Sequence, residues 1–190
     1  MNKQAVFFSV SEVELLRQRL IAQMEESCAV LHRTVSTETP VSALQKIKFE
    51  KIISDRVFGE PLNFIEHLNQ TFTYLVCLYA ARTVLERCAA TSITVNFGTH
   101  PGYDVTSDGG SILCECFAST SVKSNEKLKK DVLRLHESTL ASQKFVFFYS
   151  HAGTADTPYI QRLAANYPDV SLCSIPFEEL IGSSSFHPTP

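Results

Sequence analysis

Two carboxylates ten and more residues apart are the groups in this chain best suited to shared chemistry. Asp104 lies in a short β-like segment, Tyr103-Asp104-Val105, and Glu115 lies inside a second, Ile112 to Ala118. Between them stands Ser107-Asp108-Gly109-Gly110, a turn signal of the kind that joins hairpin strands. A hairpin there sets the two segments side by side and lets the acids meet. Two acids converging on a strand pair offer a hard-oxygen site suited to Mg²⁺ or Mn²⁺. The bland reading is a loop-end acid and an outward-facing strand residue. The alternation of the second segment bears on that choice: Leu113, Glu115 and Phe117 share one face, and Ile112, Cys114, Cys116 and Ala118 the other. Glu115 therefore has apolar neighbours, and a carboxylate so placed is costly unless paired, hydrogen-bonded or bound to metal.

The elements that must position these acids follow from the periodicity. Ala5 to Val10 reads as a short β-segment or packing arm, and Ser11 with Glu14 as a capping box. A helix to about His32 carries an apolar stripe of Val13, Leu16, Leu20, Met24 and Leu31. A second helix is expected over 41–57, ended by Gly59-Glu60-Pro61. A third, from about Leu62 to Cys88, turns mostly apolar after Phe72 and reads as the central buried helix. Its first turns hold Glu66, His67, Asn69 and Gln70, either a solvated helix start or a set aimed at the same site as Asp104 and Glu115. Strands are expected at 92–97, 103–105 and 112–118. A helix from Ser124 follows, with Leu128, Val132 and Leu135 facing the sheet. KFVFFYS at 144–150 reads as a buried strand, followed by a helix at 158–167, a strand at 170–175 and a helical turn at 177–181. The order predicts an α/β fold: a mixed central β-sheet flanked by helices. It divides the chain into an N-terminal helical extension (1–60) packed on the core, an α/β core (61–182) and a loose tail (183–190).

Composition narrows the classes. The chain has 190 residues, 44% of them hydrophobic and 19% charged, which suits one globular core rather than a disordered chain. The formal net charge of −3 leaves any nucleic-acid surface to local patches. No apolar run is long enough for a membrane span, and the N-terminus lacks the pattern of a signal peptide. The six cysteines, without a CxxC pair, read as reduced thiols of a cytoplasmic protein. No G-x-G-x-x-G, Walker A or G-x-S-x-G pattern points to another enzyme class.

The element order, with PGYDV carrying Asp104, ECF carrying Glu115, and Asn125-x-Lys127 opening the next helix, resembles the PD-(D/E)xK nuclease superfamily, the restriction-endonuclease-like fold. The resemblance covers roughly residues 61–176. It implies a metal-dependent endonuclease acting on DNA, with Asp104 and Glu115 holding Mg²⁺ (or Mn²⁺) and Glu66 matching the acid that many members place on the preceding helix. The family's lysine position, two residues after the second acid, is occupied here by Phe117. Lys127 is the expected migrated lysine, with Lys123 behind it. Lys123, Lys130 and Arg134 on the following basic helix, and His100 in the GTHPG loop, are the expected contacts to nucleic acid, though a solvated helix face and an exposed loop histidine explain them as well. The resemblance also suggests a homodimer, for which the first two helices offer a surface. The alternative implied by Phe117 is a catalytically inactive module that binds nucleic acid or a protein partner.

Overall fold

The computed structural model describes residues 3–55, 57–88, 90–98 and 101–182. His100 and the tail 183–190 lie outside the described residues. A six-stranded mixed sheet is built from β1 (Gln4–Phe7), β4 (Ile93–Asn96), β5 (Val105–Ser107), β6 (Ile112–Ser119), β7 (Gln143–Ser150) and β8 (Ser171–Ser174), in that spatial order. The first four of these pair antiparallel, and β6, β7 and β8 run parallel. A separate short ribbon joins β2 (Ile53–Ser54) to β3 (Pro61–Leu62). The expected mixed sheet with flanking helices is therefore present.

The alternation along β6 divides the core in two. Ile112, Cys114 and Cys116 pack with α1 (Val10–Thr37), α3 (Phe64–Arg87) and α6 (Phe177–Ile181). Leu113 and Phe117 pack on the other face with α4 (Lys127–His136) and α5 (Thr157–Asn166). This is the consequence of a period of two on a strand covered on both sides. Phe117, two residues after Glu115 where the resemblance expects a lysine, stacks on Phe148 with ring centroids 5.6 Å apart and planes 13° apart. It is a core residue whose ring is committed to that stack, and it also borders the cavity lined by Asp104 and Lys127.

Several boundaries differ from the sequence expectation, each for a local reason. The N-terminal arm is an edge strand: Gln4 to Phe7 pairs with Asn96 to Ile93, and Phe7 is buried in the same core as Val13 and Leu20. The cap of α1 uses Ser9 rather than Ser11, its hydroxyl accepting from the Glu12 amide, while Glu14 pairs with Arg17. The second helix, α2 (Pro40–Phe49), stops short of Val57. Beyond it, Asp55 is buried and accepts from the amides of Val57 and Phe58, an Asx turn that competes with helix and closes the β2–β3 ribbon. The helix expected from Ser124 begins as a 3-10 turn at Ser124–Glu126, and α4 proper starts at Lys127.

One latch fixes the loop at the carboxyl end of β6. Buried Asp156 accepts from the Ser121 hydroxyl (2.9 Å), the Val122 amide (2.9 Å) and the Ser150 hydroxyl (2.8 Å), tying the β6–α4 loop to the end of β7. Those hydrogen bonds hold its carboxyl below the usual range, outweighing the opposing effect of burial. Because β6 and β7 are parallel, both deliver their carboxyl ends to this one edge, where open α/β sheets commonly hold their ligands.

A buried acid pair beside a basic helix

The β5–β6 hairpin sets the central geometry. Val105 pairs with Cys114 and Thr106 with Leu113, and continuing that register sets Asp104 opposite Glu115. Asp104 is half-buried and stands one residue before β5. Its carbonyl accepts from the Asn96 amide of β4 (2.8 Å), and its Oδ2 accepts from the Cys116 amide of β6 (2.8 Å). The residue thus bridges two strands through main chain and side chain, and its carboxyl has a fixed direction. Glu115 is 1% exposed. Its carboxyl stands across the hairpin from that of Asp104, close enough for the Asp104 charge to act on it.

Burial chiefly, then the charges of Asp104 and Asp131, push the Glu115 carboxyl up to about 9, against the opposing pull of Arg134. Arg134 donates from Nη1 to Glu115 Oε1 (2.6 Å) and from Nη2 to the Gly102 carbonyl (2.5 Å), with its guanidinium 4.7 Å from the centre of the Tyr103 ring. This residue, expected on the basic helix as a nucleic-acid contact, is bonded to Glu115 and to the loop that presents Asp104.

The raised Glu115 has a consequence for stability. The folded chain keeps a proton that the unfolded chain releases above its ordinary value of 4.5. The unfolded state then binds fewer protons than the native state, so stability falls as pH rises from there to about 9. The expected slope from this one group is up to roughly 1 kcal/mol per pH unit. Urea midpoints of the parent chain and of Glu115→Gln, measured between about pH 6.5 and 8.5, check it. The parent loses stability across the window, and the variant loses less. Parallel slopes would contradict the assignment.

The third side of the cluster is the start of α4. Lys127 donates to Asp131 Oδ1 (2.6 Å), the i,i+4 pairing that its spacing suggests. Asp131 is buried, its Oδ2 has no hydrogen-bond partner among the described residues, and burial raises its carboxyl to about 6 in spite of Lys127. Burial acts to lower the Lys127 ammonium, but Asp131, Asp104 and Glu115 outweigh it and hold it above the ordinary value. Asp104, Lys127 and Lys130 line one cavity of about 470 Å³, together with Thr73, Ser119 and Asn125. Asn125 and Glu126 both adopt left-handed backbone (φ 54° each) at the rim, and Lys130 donates to the Asn125 carbonyl (2.9 Å). Two successive non-glycine residues in that region cost of the order of 1–2 kcal/mol each, and such strain concentrates at functional loops.

The remaining expected residues are disposed as follows. Glu66 caps α3: its Oε2 accepts from the Asn63 amide (3.2 Å), and its own amide donates to Asn63 Oδ1 (2.9 Å). It is exposed and committed to the helix start. Gln70 accepts from the Tyr74 hydroxyl (3.2 Å). Lys123 is exposed beside the Ser121–Ser124 turn and does not line the cavity. The structure therefore brings together Asp104, Glu115 and Lys127 and leaves Glu66 and Lys123 outside. Asn125, Ser119 and Thr73 had no sequence signal beyond the Asn125-x-Lys127 spacing. No group of three or more His, Cys, Asp or Glu side chains arranged to hold a metal ion occurs among the described residues. None of the described helices is long and apolar enough to cross a membrane.

Comparison with protein-family models, with curated proteins and with solved structures returned no match for this chain.

Proposed function

We propose that the protein is a metal-dependent nuclease of the restriction-endonuclease-like, PD-(D/E)xK kind, hydrolysing phosphodiesters in DNA. The observation that carries this reading is the meeting of Asp104 and Glu115 across one hairpin, with Lys127 on the wall of the cavity that Asp104 faces. The order of strands and helices around the pair supports it.

The donor set fits Mg²⁺ or Mn²⁺. Mg²⁺ keeps several waters and is commonly held by one or two carboxylates, so two acids suffice. Two neighbouring carboxyls resist both being ionised; after burial, the Asp104 charge is the next cause of the raised Glu115, and a divalent cation would relieve that repulsion. Asp104 and Glu115 would hold the ion, which when bound supplies Lewis-acid activation of a water and of the phosphate.

The chain's own residues do the rest. Asp104, gripped by the Cys116 amide, lines the cavity with its carboxyl held in a fixed direction. Lys127, aimed by Asp131, positions the attacking water and the scissile phosphate oxygen. Lys130, Ser124 and Asn125 line the same cavity at the start of α4 and take the remaining phosphate oxygens. Arg134 orients Glu115. The water oxygen bonds to phosphorus and releases a proton to solvent, the P–O bond to the leaving sugar breaks, and that sugar oxygen takes up a proton from solvent.

A second reading is a catalytically inactive module that binds nucleic acid or a protein partner. It is favoured by Phe117 in the core and by Arg134 already occupying Oε1 of Glu115. Melting the protein with and without Mg²⁺ separates the two. A nuclease site raises the transition by the mass-action term, about 2.7 kcal/mol at a hundred times Kd, and EDTA reverses it. A melting curve indifferent to both favours the inactive module.

The reading extends to assembly and compartment. Val41, Leu44 and Phe49 of α2 are exposed apolar side chains, a surface suited to a homodimer. All six cysteines are free thiols, three of them buried, as suits a cytoplasmic protein.

A further inference from the structure

A second cavity adjoins the first. It has a volume of about 400 Å³, within the range of small-molecule sites. Ala118 and Ser119, at the end of β6, form a wall of both cavities. The second lies on the α3 side, lined by the rings of Phe72, Tyr149 and Phe177. Tyr149 and Phe177 stand 5.7 Å apart, centroid to centroid, with planes 49° apart. The polar rim consists of Asn69, Ser119, Thr120 and His151, and the Tyr149 hydroxyl lies 3.5 Å from His151 Nδ1.

We infer that this cavity is a nucleobase subsite, taking one unstacked base of the strand whose phosphate occupies the Lys127 cavity, so that the preferred substrate is single-stranded DNA. The inference rests on the nuclease reading and goes beyond it by naming the form of the substrate. Three features carry it. First, the aromatic cavity and the cationic cavity share a wall, as the base and phosphate of one nucleotide are neighbours. Second, the lining combines π-faces with amide, hydroxyl and imidazole groups. Base recognition uses that combination: stacking for affinity and hydrogen bonds to the base edge. Third, a base can enter only when it is out of a duplex stack, which single strands allow without the cost of unpairing. The rings come from three elements, α3, β7 and α6, so the platform is fixed by the core rather than by a loop.

The test uses a short end-labelled single-stranded DNA and the same sequence as a duplex, bound in EDTA so that both stay intact. The expected result is tighter binding of the single strand. Tyr149→Ala weakens that binding about ten- to a hundred-fold, the loss expected for one stacked base, whereas Tyr149→Phe keeps the ring and the affinity. A second readout does not depend on a variant that folds: 2-aminopurine in the single strand is quenched on binding to the parent chain. Single-strand affinity unchanged by Tyr149→Ala, or unquenched 2-aminopurine, with binding still weakened by Lys130→Ala, overturns the subsite and leaves the nuclease reading standing. If the parent chain binds neither DNA, the subsite fails, and if it also cuts neither in Mg²⁺ the nuclease reading fails with it.

Discussion

Asp104→Ala is expected to lower Mg²⁺-dependent DNA cleavage by about 10²–10³-fold or more, since it removes one of the two carboxylates that would hold the metal ion. The substitution also removes the acceptor for the Cys116 amide, at a cost of about 1 kcal/mol in stability. Asp104→Asn separates the two effects. The amide oxygen still accepts from Cys116, so the hairpin keeps its register, while the negative charge is gone. Cleavage should fall as far in the asparagine variant as in the alanine variant, with the melting curve near that of the parent. The Mg²⁺-induced stabilisation should disappear in both. A rate restored by asparagine would mean that Asp104 matters only for holding β6, and the metal assignment would fail.

Lys127→Ala should produce the second large loss, about 10²-fold in kcat, with a smaller change in KM. In the superfamily resemblance the lysine belongs on the strand, two residues after the second acid, but Phe117 there is buried and stacked on Phe148. Lys127 is the ammonium on the wall of the Asp104 cavity that the acids themselves hold in place. Its side chain is 44% exposed, so the ion pair with Asp131 contributes at most about 1 kcal/mol to folding. Asp131→Asn provides a finer reading. It leaves the ammonium but releases its direction, so kcat should fall less than in Lys127→Ala. Lys127→Arg keeps the charge with a different donor geometry and should restore little. An unchanged rate in Lys127→Ala would point to the inactive-module reading or to another proton-bearing group.

The parts of this arrangement legible in the sequence are those set by local pattern. The alternation of Ile112 to Ala118 predicts which side chains meet which helix layer, and the two core clusters follow it. The Ser107–Gly110 turn predicts the hairpin, and the hairpin register alone sets Asp104 opposite Glu115. The Lys127–Asp131 pair follows from a spacing of four on a helix. What escaped the sequence depends on partners distant along the chain. Arg134 reads as one more cation on a basic face, because its bond to Glu115 spans 19 residues and exists only once α4 lies over β6. The N-terminal strand needs β4 for its definition, and a four-residue segment carries too little pattern to announce that pairing. The strand expected at 103–105 begins at Val105, because Asp104 spends its side chain on a backbone amide. Glu66 is a different case. The pattern Asn63-x-x-Glu66 is a capping box in plain view, and that local role explains the acid without a distant site.

The pH behaviour joins the fold to the function. Glu115 holds its proton in the folded chain, and a metal needs the carboxylate. On the proposed reading, ion binding would therefore be coupled to proton release, with Arg134 available to steady the ionised form.

The most direct test is a time course of the purified chain with end-labelled DNA in Mg²⁺ or Mn²⁺, with EDTA and Asp104→Asn as parallel controls. The account predicts cleavage that requires the metal and vanishes in both controls. DNA left intact by the parent chain in either metal, or cut equally well in EDTA or by Asp104→Asn, would contradict it.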